Sequence, residues 1–300
     1  MSVTTYMTVG ARGNWEFLLS FRGTKLAAIV LIAISVSTST VLFQTVARNR
    51  ILTPSIMGFD ALYVLMFTLG VFFMGAHSFL TIAPVTQYFV SLLLMVGVAL
   101  ALFGTLLLQA REDIMRMMLT GVILAAFFRS LTSLITRIID PNEFGYIQVA
   151  SFARFNQIDA DLLSISAVLC GVCLLIAWRI RHRLDVLALG REAAINLGEN
   201  PRRGVIEVLI LVAVLVSVST AFVGPIAFLG LLVVSIAHRV WPTASHGVLL
   251  PVAAAVSIIT LVGGQAILER VLHSAVPLIV IVDFLGGILF LYLILMRSHR

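Results

Sequence analysis

Apolar residues run along this chain for about twenty positions at a time, and polar ones gather in short clusters between the runs. An α-helix crosses a hydrocarbon core of roughly 30 Å in ~20 residues, so each run is long enough to span a bilayer. Nine can be marked, at 25–46, 58–76, 87–109, 117–139, 161–178, 205–223, 225–238, 248–268 and 278–296. Run length and the lack of strand-length alternation exclude sheet. The seventh run is short and opens on Gly224-Pro225, the signature of a broken helix. The longest polar interruption is residues 179–204, RIRHRLDVLALGREAAINLGENPRRG. In it Asp185 can cap a short helix over 186–189, Gly190 breaks that helix, and 191–197 forms a second turn or two. Gly198 stops the chain and Pro201 blocks resumption. Val186, Leu189, Ala193 and Leu197 recur at helical spacing, with Arg191 and Glu192 on the other side. Such a stripe fits either a groove on a soluble partner or the headgroup layer of the membrane. A second local signal, Asp140-Pro141-Asn142-Glu143, combines an N-cap, proline at N1 and an acid at N3, and predicts a short helix over 141–153.

Composition agrees with the pattern. Hydrophobic residues make up 60% of 300 positions and charged residues 11%, with a mean hydropathy of +1.10. That charge is too sparse to cover a soluble domain of this size. The fold class is therefore all-α, a polytopic transmembrane helical bundle of about nine spans. The net charge of +6 comes from basic residues beside apolar runs, not from a nucleic-acid-binding face. With 179–204 placed inside, thirteen of the twenty Lys and Arg residues fall on the cytosolic side: Arg48, Arg50, Arg111, Arg116, Arg179, Arg181, Arg183, Arg191, Arg202, Arg203, Arg239, Arg297 and Arg300. Arg12, Arg22, Lys25, Arg137, Arg154 and Arg270 fall outside, so the positive-inside rule puts the C-terminus in the cytosol. Nine spans then leave the N-terminus outside, with Arg12 and Arg22 to be carried across. The expectation is that a preceding helix is missing from this chain. Nothing in it resembles a cleavable signal peptide.

Candidate chemistry is sparse. Cys170-x-x-Cys173 lies inside an apolar run and reads as two small helix residues rather than a redox pair. The histidines at 77, 182, 238, 246, 273 and 299 form no metal-ligand spacing, and no nucleophile–base arrangement is visible. No G-x-x-x-x-G-K-[ST] occurs, so ATP is not bound here in the P-loop manner. Arg129 stands mid-span, where an arginine costs about 2.5–3.5 kcal/mol on insertion scales. It either faces a water-filled cavity that attracts anions, or pairs with Asp283 in the last span or with a second subunit. Asp283 is the same kind of pathway candidate.

Three motifs carry a family resemblance. Asn49, Pro54 and Gly58 in RNRILTPSIMG resemble the turn N-P-L-A-x-P-x-x-L-G. Leu189-Gly190, Glu192 and Leu197-Gly198 resemble a cytosolic coupling segment, and GPIAFLGL at 224–231 resembles G-P-I-G-F-x-G-L. All three belong to the permease subunits of iron-chelate (ferric siderophore and vitamin B12) ABC importers. GNWEF, ILTPSIMGFDALY and DPNEF resemble the paired petrobactin, anguibactin and vibriobactin-type permeases. The chain departs from the pattern at Arg50, where the family has proline. It departs again at Val234-Ser235, which replace Pro-His, and at His238, which stands in a nearby arginine position. The family has ten spans.

The resemblance implies a division into an outer-face segment, 1–24, and a permease domain, 25–300, with the coupling loop at 179–204. It implies a transport subunit, not an enzyme, with no cofactor, in the cytoplasmic (inner) membrane of a bacterium among its lipids. Expected partners are two copies of a separate ABC ATPase, a second homologous permease and a periplasmic or lipid-anchored siderophore-binding protein, with a ferric siderophore as substrate and no nucleic acid. Asp185, Leu189, Gly190, Arg191, Glu192, Leu197 and Gly198 would meet the ATPase. Arg22, Lys25 and Arg270 would meet carboxylates of the binding protein, although the same residues also fit headgroup anchoring. The alternative class is a secondary transporter or channel not powered by ATP, which calls for intramembrane relays or paired broken helices.

Overall fold

A computed structural model describes residues 15–108, 114–153, 158–271 and 277–298. Arg12, Arg111, Arg154, Arg300, His273 and His299 lie outside the described residues, as do the side chains of Arg270 and Arg297. The regular secondary structure of the described residues is all helical. Its elements are α1 (Trp15–Ala47), a 3-10 turn (Pro54–Met57), α2 (Phe59–Met74), α3 (Ala76–Leu80), α4 (Pro84–Leu108), α5 (Ile114–Thr136) and α6 (Pro141–Ala150). There follow α7 (Ala160–Arg179), α8 (Arg181–Ala188), α9 (Arg191–Asn196), α10 (Pro201–Val223), α11 (Leu229–Val240), α12 (His246–Val271) and α13 (Leu278–Ser298). Six of these contain stretches long and apolar enough to cross a membrane, and α2, α11 and α13 supply three shorter apolar ones. The nine correspond one to one with the apolar runs of the sequence.

α1 is the central post. Its first half packs with α11 and α12, in a core that also takes in α13, around Ile29, Ile32, Leu229, Leu261 and Ile279. Its second half packs with α7 and α10, in a core that also takes in α2 and α4, around Leu42, Phe43, Tyr88, Met95 and Leu215. Between the halves lies Ser35-Val36-Ser37-Thr38-Ser39-Thr40, buried along its length. Small side chains let helices approach closely, the chief route to tight association where no hydrophobic effect operates between spans. Ser37, Ser39 and Thr40 donate their hydroxyl hydrogens back to Ala33 O (2.7 Å), Val36 O (3.0 Å) and Val36 O (2.8 Å), so these three are satisfied within their own helix. Cys170 and Cys173 are buried, free thiols in the same core. Large apolar residues such as Leu93, Ile123, Phe127, Leu175, Phe284 and Leu291 are exposed along α4, α5, α7 and α13, as a lipid-facing or subunit-facing surface requires.

Two segments outside the α-helices meet inside the bundle. Thr53, Pro54, Met57 and Gly58 are buried, as are Gly224, Pro225 and Ile226, and Ser55 Oγ donates to Ile226 O at 3.1 Å. Irregular backbone at this depth is tolerable only where protein covers it. Gly58 sits at φ 97°, open to glycine alone at low cost, and a Cβ there would stand 3.1 Å from Ala125 of α5.

Several boundaries differ from the sequence expectation for physical reasons. α1 starts at Trp15, because the weakly polar stretch before 25 extends a helix already nucleated. α11 starts at Leu229 rather than 225, since Gly224-Pro225 leads into extended backbone. Pro201 does not block a helix; it occupies the first turn of α10, with Asn200 accepting from Arg203 N at 3.2 Å as the cap. Asp140 caps α6 as expected, accepting from Asn142 N at 2.8 Å. Glu143, however, reaches away to accept from Ala76 N at 3.1 Å and caps α3 instead.

α11 packs tightly on α1 at Gly230, where a Cβ would stand 2.1 Å from Thr40 Oγ1. Gly230→Val should therefore lower stability by about 1–3 kcal/mol through overpacking. This would appear as a reduced thermal midpoint of the detergent-solubilised protein. Gly97→Ala, at a site with nothing within 4 Å, should leave the midpoint unchanged or raise it.

Candidate functional site

The polar loop 179–204 folds into a clamped helical hairpin beyond the last turns of α7. One residue, Ile180, separates α7 from α8, so α8 inherits its direction from a span. Leu184 and Leu187 are buried, and Gly204, in the first turn of α10, leaves the room that Leu187 fills. Gly190 at φ 103° makes the turn into α9, and Gly198 at φ 79° ends it. There Gly198 N donates to Ile195 O at 2.9 Å and Glu199 N to Ala194 O at 2.9 Å, the paired bonds of a Schellman stop. Arg183 closes the hairpin: Nη2 and Nε meet Glu199 Oε1 at 2.7 and 3.0 Å, while Nη1 meets Glu207 Oε2 of α10 at 2.7 Å. The Glu199 hydrogen bond is the main reason that Arg183 holds its proton more tightly than a free arginine.

The hairpin displays apolar side chains. Leu189 is 66% exposed, Ile195 52% and Leu197 62%, beside the exposed Arg191 and Glu192, while Ala194 is buried underneath. The sequence stripe is thus realised at Leu189 and Leu197, Val186 and Ala193 are half-buried, and Ile195 joins the surface unforeseen. Asp185 does not cap its own helix, which starts at Arg181. Its Oδ1 instead accepts from the backbone N of His246 at 2.7 Å and meets His246 Nδ1 at 2.6 Å, holding the start of α12. His246 is a site residue that sequence reasoning misses, because its partners lie 61 and 201 positions away. Beside it opens a cavity of about 650 Å³ lined by Arg48, Arg50, Asp185, Leu189, His238 and His246.

Elsewhere the candidate residues separate into two groups. At the opposite end of α1, Lys25 is buried and ion-paired with Glu269, which also accepts from Gln265 Nε2 at 2.8 Å. Arg22 is half-buried one turn earlier, and Arg270 follows Glu269 in α12. Mid-bundle, Arg129 is exposed on α5 and its Nε donates to Ala125 O of its own helix at 3.2 Å. Asp283 accepts from Phe228 N at 2.9 Å and so holds the entry to α11, and no ion pair joins it to Arg129 among the described residues. Asp60, in the first turn of α2, lies within electrostatic reach of both, with Oδ1 buried and unpartnered. Its only sequence signal is a charge near the start of an apolar run.

Comparison with known proteins settles the family. Residues 2–296 match the FecCD transport family. The chain belongs to that family. It is a multi-pass membrane permease of the ABC-importer type. Its relatives include the petrobactin import system permease YclO of Bacillus subtilis, 43% identical over 286 residues that cover 95% of this chain and 91% of that one. The petrobactin import system permease FatC of Bacillus anthracis is 30% identical over 272 residues, 91% and 77% of the two chains. Among solved structures, a candidate metal-chelate-type ABC transporter in an inward-facing conformation superposes with a TM-score of 0.84. It does so at 20% identity over 98% and 94% of the two chains, which speaks to the fold of this permease.

The Arg183 clamp makes a local prediction. Glu199→Ala leaves Arg183 paired only with Glu207, so the amides of 190–200 should exchange hydrogen faster. Global stability should shift by no more than about 1 kcal/mol, the usual worth of a partly exposed pair. Hydrogen-exchange mass spectrometry reads the first effect and thermal melting the second.

Proposed function

We propose that this permease is the transmembrane subunit through which a ferric siderophore crosses the cytoplasmic (inner) membrane of a bacterium. A separate ABC ATPase, in two copies, drives it through the 185–200 segment. The observation that carries the proposal is the α8–α9 hairpin. It is fixed to α10 by Arg183, tied to α12 by Asp185, and presents Leu189, Ile195 and Leu197 outward. An interfacial helix resting on lipid needs no such clamping, whereas an element that transmits a push does. The petrobactin systems to which YclO and FatC belong support an iron-chelate substrate.

In this reading the hairpin end faces the cytosol, 25–300 is the permease domain, and 1–24 belongs to the outer face. A second, homologous permease completes the pathway between the two subunits. Arg129, exposed mid-span, offers positive charge to an anionic chelate, and Asp283 shapes the same depth by fixing the α10–α11 junction. At the outer end, Arg22 and Arg270 are the contacts for a periplasmic or lipid-anchored binding protein. Lys25, engaged with Glu269, sets the shape of that surface. Exposed pairs worth about 0–1 kcal/mol suit reversible docking.

The test is co-purification with the ATPase and sister permease, followed by chelate-stimulated ATP hydrolysis and uptake in proteoliposomes. Leu189→Asp, or reversal of charge at both Arg191 and Glu192, should leave membrane insertion intact and reduce stimulated uptake by about tenfold or more, as loss of a buried apolar anchor does at an interface. Arg22→Glu should weaken only the stimulation by binding protein. A stable transport-competent complex without any ATPase would overturn the proposal.

A separate assay addresses the pathway. Arg129→Ala should lower uptake of anionic chelates more than of neutral ones. Equal uptake of both classes, at unaltered expression and melting, would remove Arg129 from the pathway.

A further inference from the structure

His246, the first residue of α12, is 3% exposed, and its ring nitrogens hold two other helices. Nδ1 lies 2.6 Å from Asp185 Oδ1 on α8, and the same oxygen takes the backbone N–H of His246 at 2.7 Å. Nε2 lies 2.7 Å from Thr45 Oγ1 in the last turn of α1. An ionised carboxylate only accepts, so Nδ1 carries a hydrogen towards Asp185. Thr45 has one hydroxyl hydrogen to place between Val41 O, 2.8 Å away, and the ring. The imidazole is thus a rigid plate between the α8–α9 hairpin, the start of α12 and the end of α1, the central post of the bundle. Leu184 also packs into this region, but apolar contacts slide, whereas short hydrogen bonds on both edges of one planar ring hold direction as well as distance. Arg48, Arg50 and His238 face the adjoining cavity, and Asp185 is the only acid lining it among the described residues.

We propose that His246 is a positioning residue that passes movement of α8 to α12 and α1, converting displacement of the hairpin into displacement of the spans. The inference rests on the coupling function proposed for α8–α9. Nothing in the sequence marks it, since the three groups lie far apart along the chain.

Side-chain geometry separates the two edges of the ring. In His246→Asn the amide nitrogen stands near the place of Nδ1 and can still donate to Asp185, but it does not reach Thr45. In His246→Gln the amide reaches towards Thr45 and gives up Asp185. His246→Ala loses both. The measurement is chelate imported per ATP hydrolysed by the assembled complex in proteoliposomes, together with stimulation of hydrolysis by loaded binding protein. Co-elution of the subunits and an unchanged melting midpoint serve as the folding check. The ratio should fall about tenfold in His246→Ala and His246→Gln, the scale of a lost hydrogen bond to a charged group, and recover to within about threefold in His246→Asn. Asp185→Asn combined with His246→Gln should be no worse than the worse single variant, because both interrupt one link.

A ratio unaffected by His246→Ala, or an Asn variant no better than Ala, would overturn the inference. If His246→Ala destabilises the complex, Thr45→Val removes the other edge without changing shape and should lower the ratio by itself; no change there overturns the α1 link. Leu189→Asp run alongside separates the two levels. If it abolishes stimulation while His246→Ala does not, only the role of His246 fails; if neither matters, the coupling function itself fails.

Discussion

Backbone N–H groups that have no water to turn to are the constraint on which this fold depends. A helix that begins inside or beside a bilayer leaves its first amides without partners, and each unmet group costs free energy on the scale of a whole hydrogen bond. Here three such starts are met by carboxylates from elsewhere in the chain. Glu143 takes the amide of Ala76, Asp283 that of Phe228 and Asp185 that of His246. The sequence separations are 67, 55 and 61 residues, so each cap is also a tertiary tie. A negative group at a helix N-terminus gains from the helix dipole as well. The short helices α3 and α11 can therefore start where the chain has just been irregular, and the irregular stretches can lie buried.

This arrangement places the two broken segments at the same depth. Ser55 on one donates to Ile226 on the other, and Asp60, Arg129 and Asp283 gather around the junction. Charge is expensive at that depth, which is why it coincides with the part of the bundle where the backbone itself is polar and exposed to neighbouring groups. At the far end of α1 the same logic recurs between side chains: Glu269 meets the buried Lys25, and Gln265 supports Glu269.

Hydropathy made the spans legible because a bilayer imposes a length that the sequence must match. All nine apolar runs became helices, and the hairpin's stops at Gly190 and Gly198 were readable because only glycine adopts their positive φ cheaply. Local capping logic failed at Asp185 and Glu143 for one reason. It pairs an acid with the nearest helix start in sequence, whereas these acids serve starts that are near only in space. Arg129 and Asp283 were visible as charges in apolar runs, yet the absence of an ion pair between them among the described residues was not. Asp283 is engaged by a backbone amide, and no sequence pattern announces that. Ile195 and His246 were missed because exposure in one case and a three-helix junction in the other are properties of packing.

The serine- and threonine-rich middle of α1 has a mechanical consequence. Ser37, Ser39 and Thr40 spend their hydroxyl hydrogens on carbonyls of their own helix, and Ser219 of α10 does the same with Leu215 O. The surface where α1 meets its neighbours is therefore smooth, narrow and free of directional bonds donated by those groups. A small axial shift there breaks none of these hydrogen bonds and trades one set of dispersion contacts for another. The directional ties described between α1 and other helices sit near its two ends, at Lys25–Glu269 and at Thr45–His246, and its middle would meet an axial shift through the shape of packed side chains such as Thr40 against Gly230.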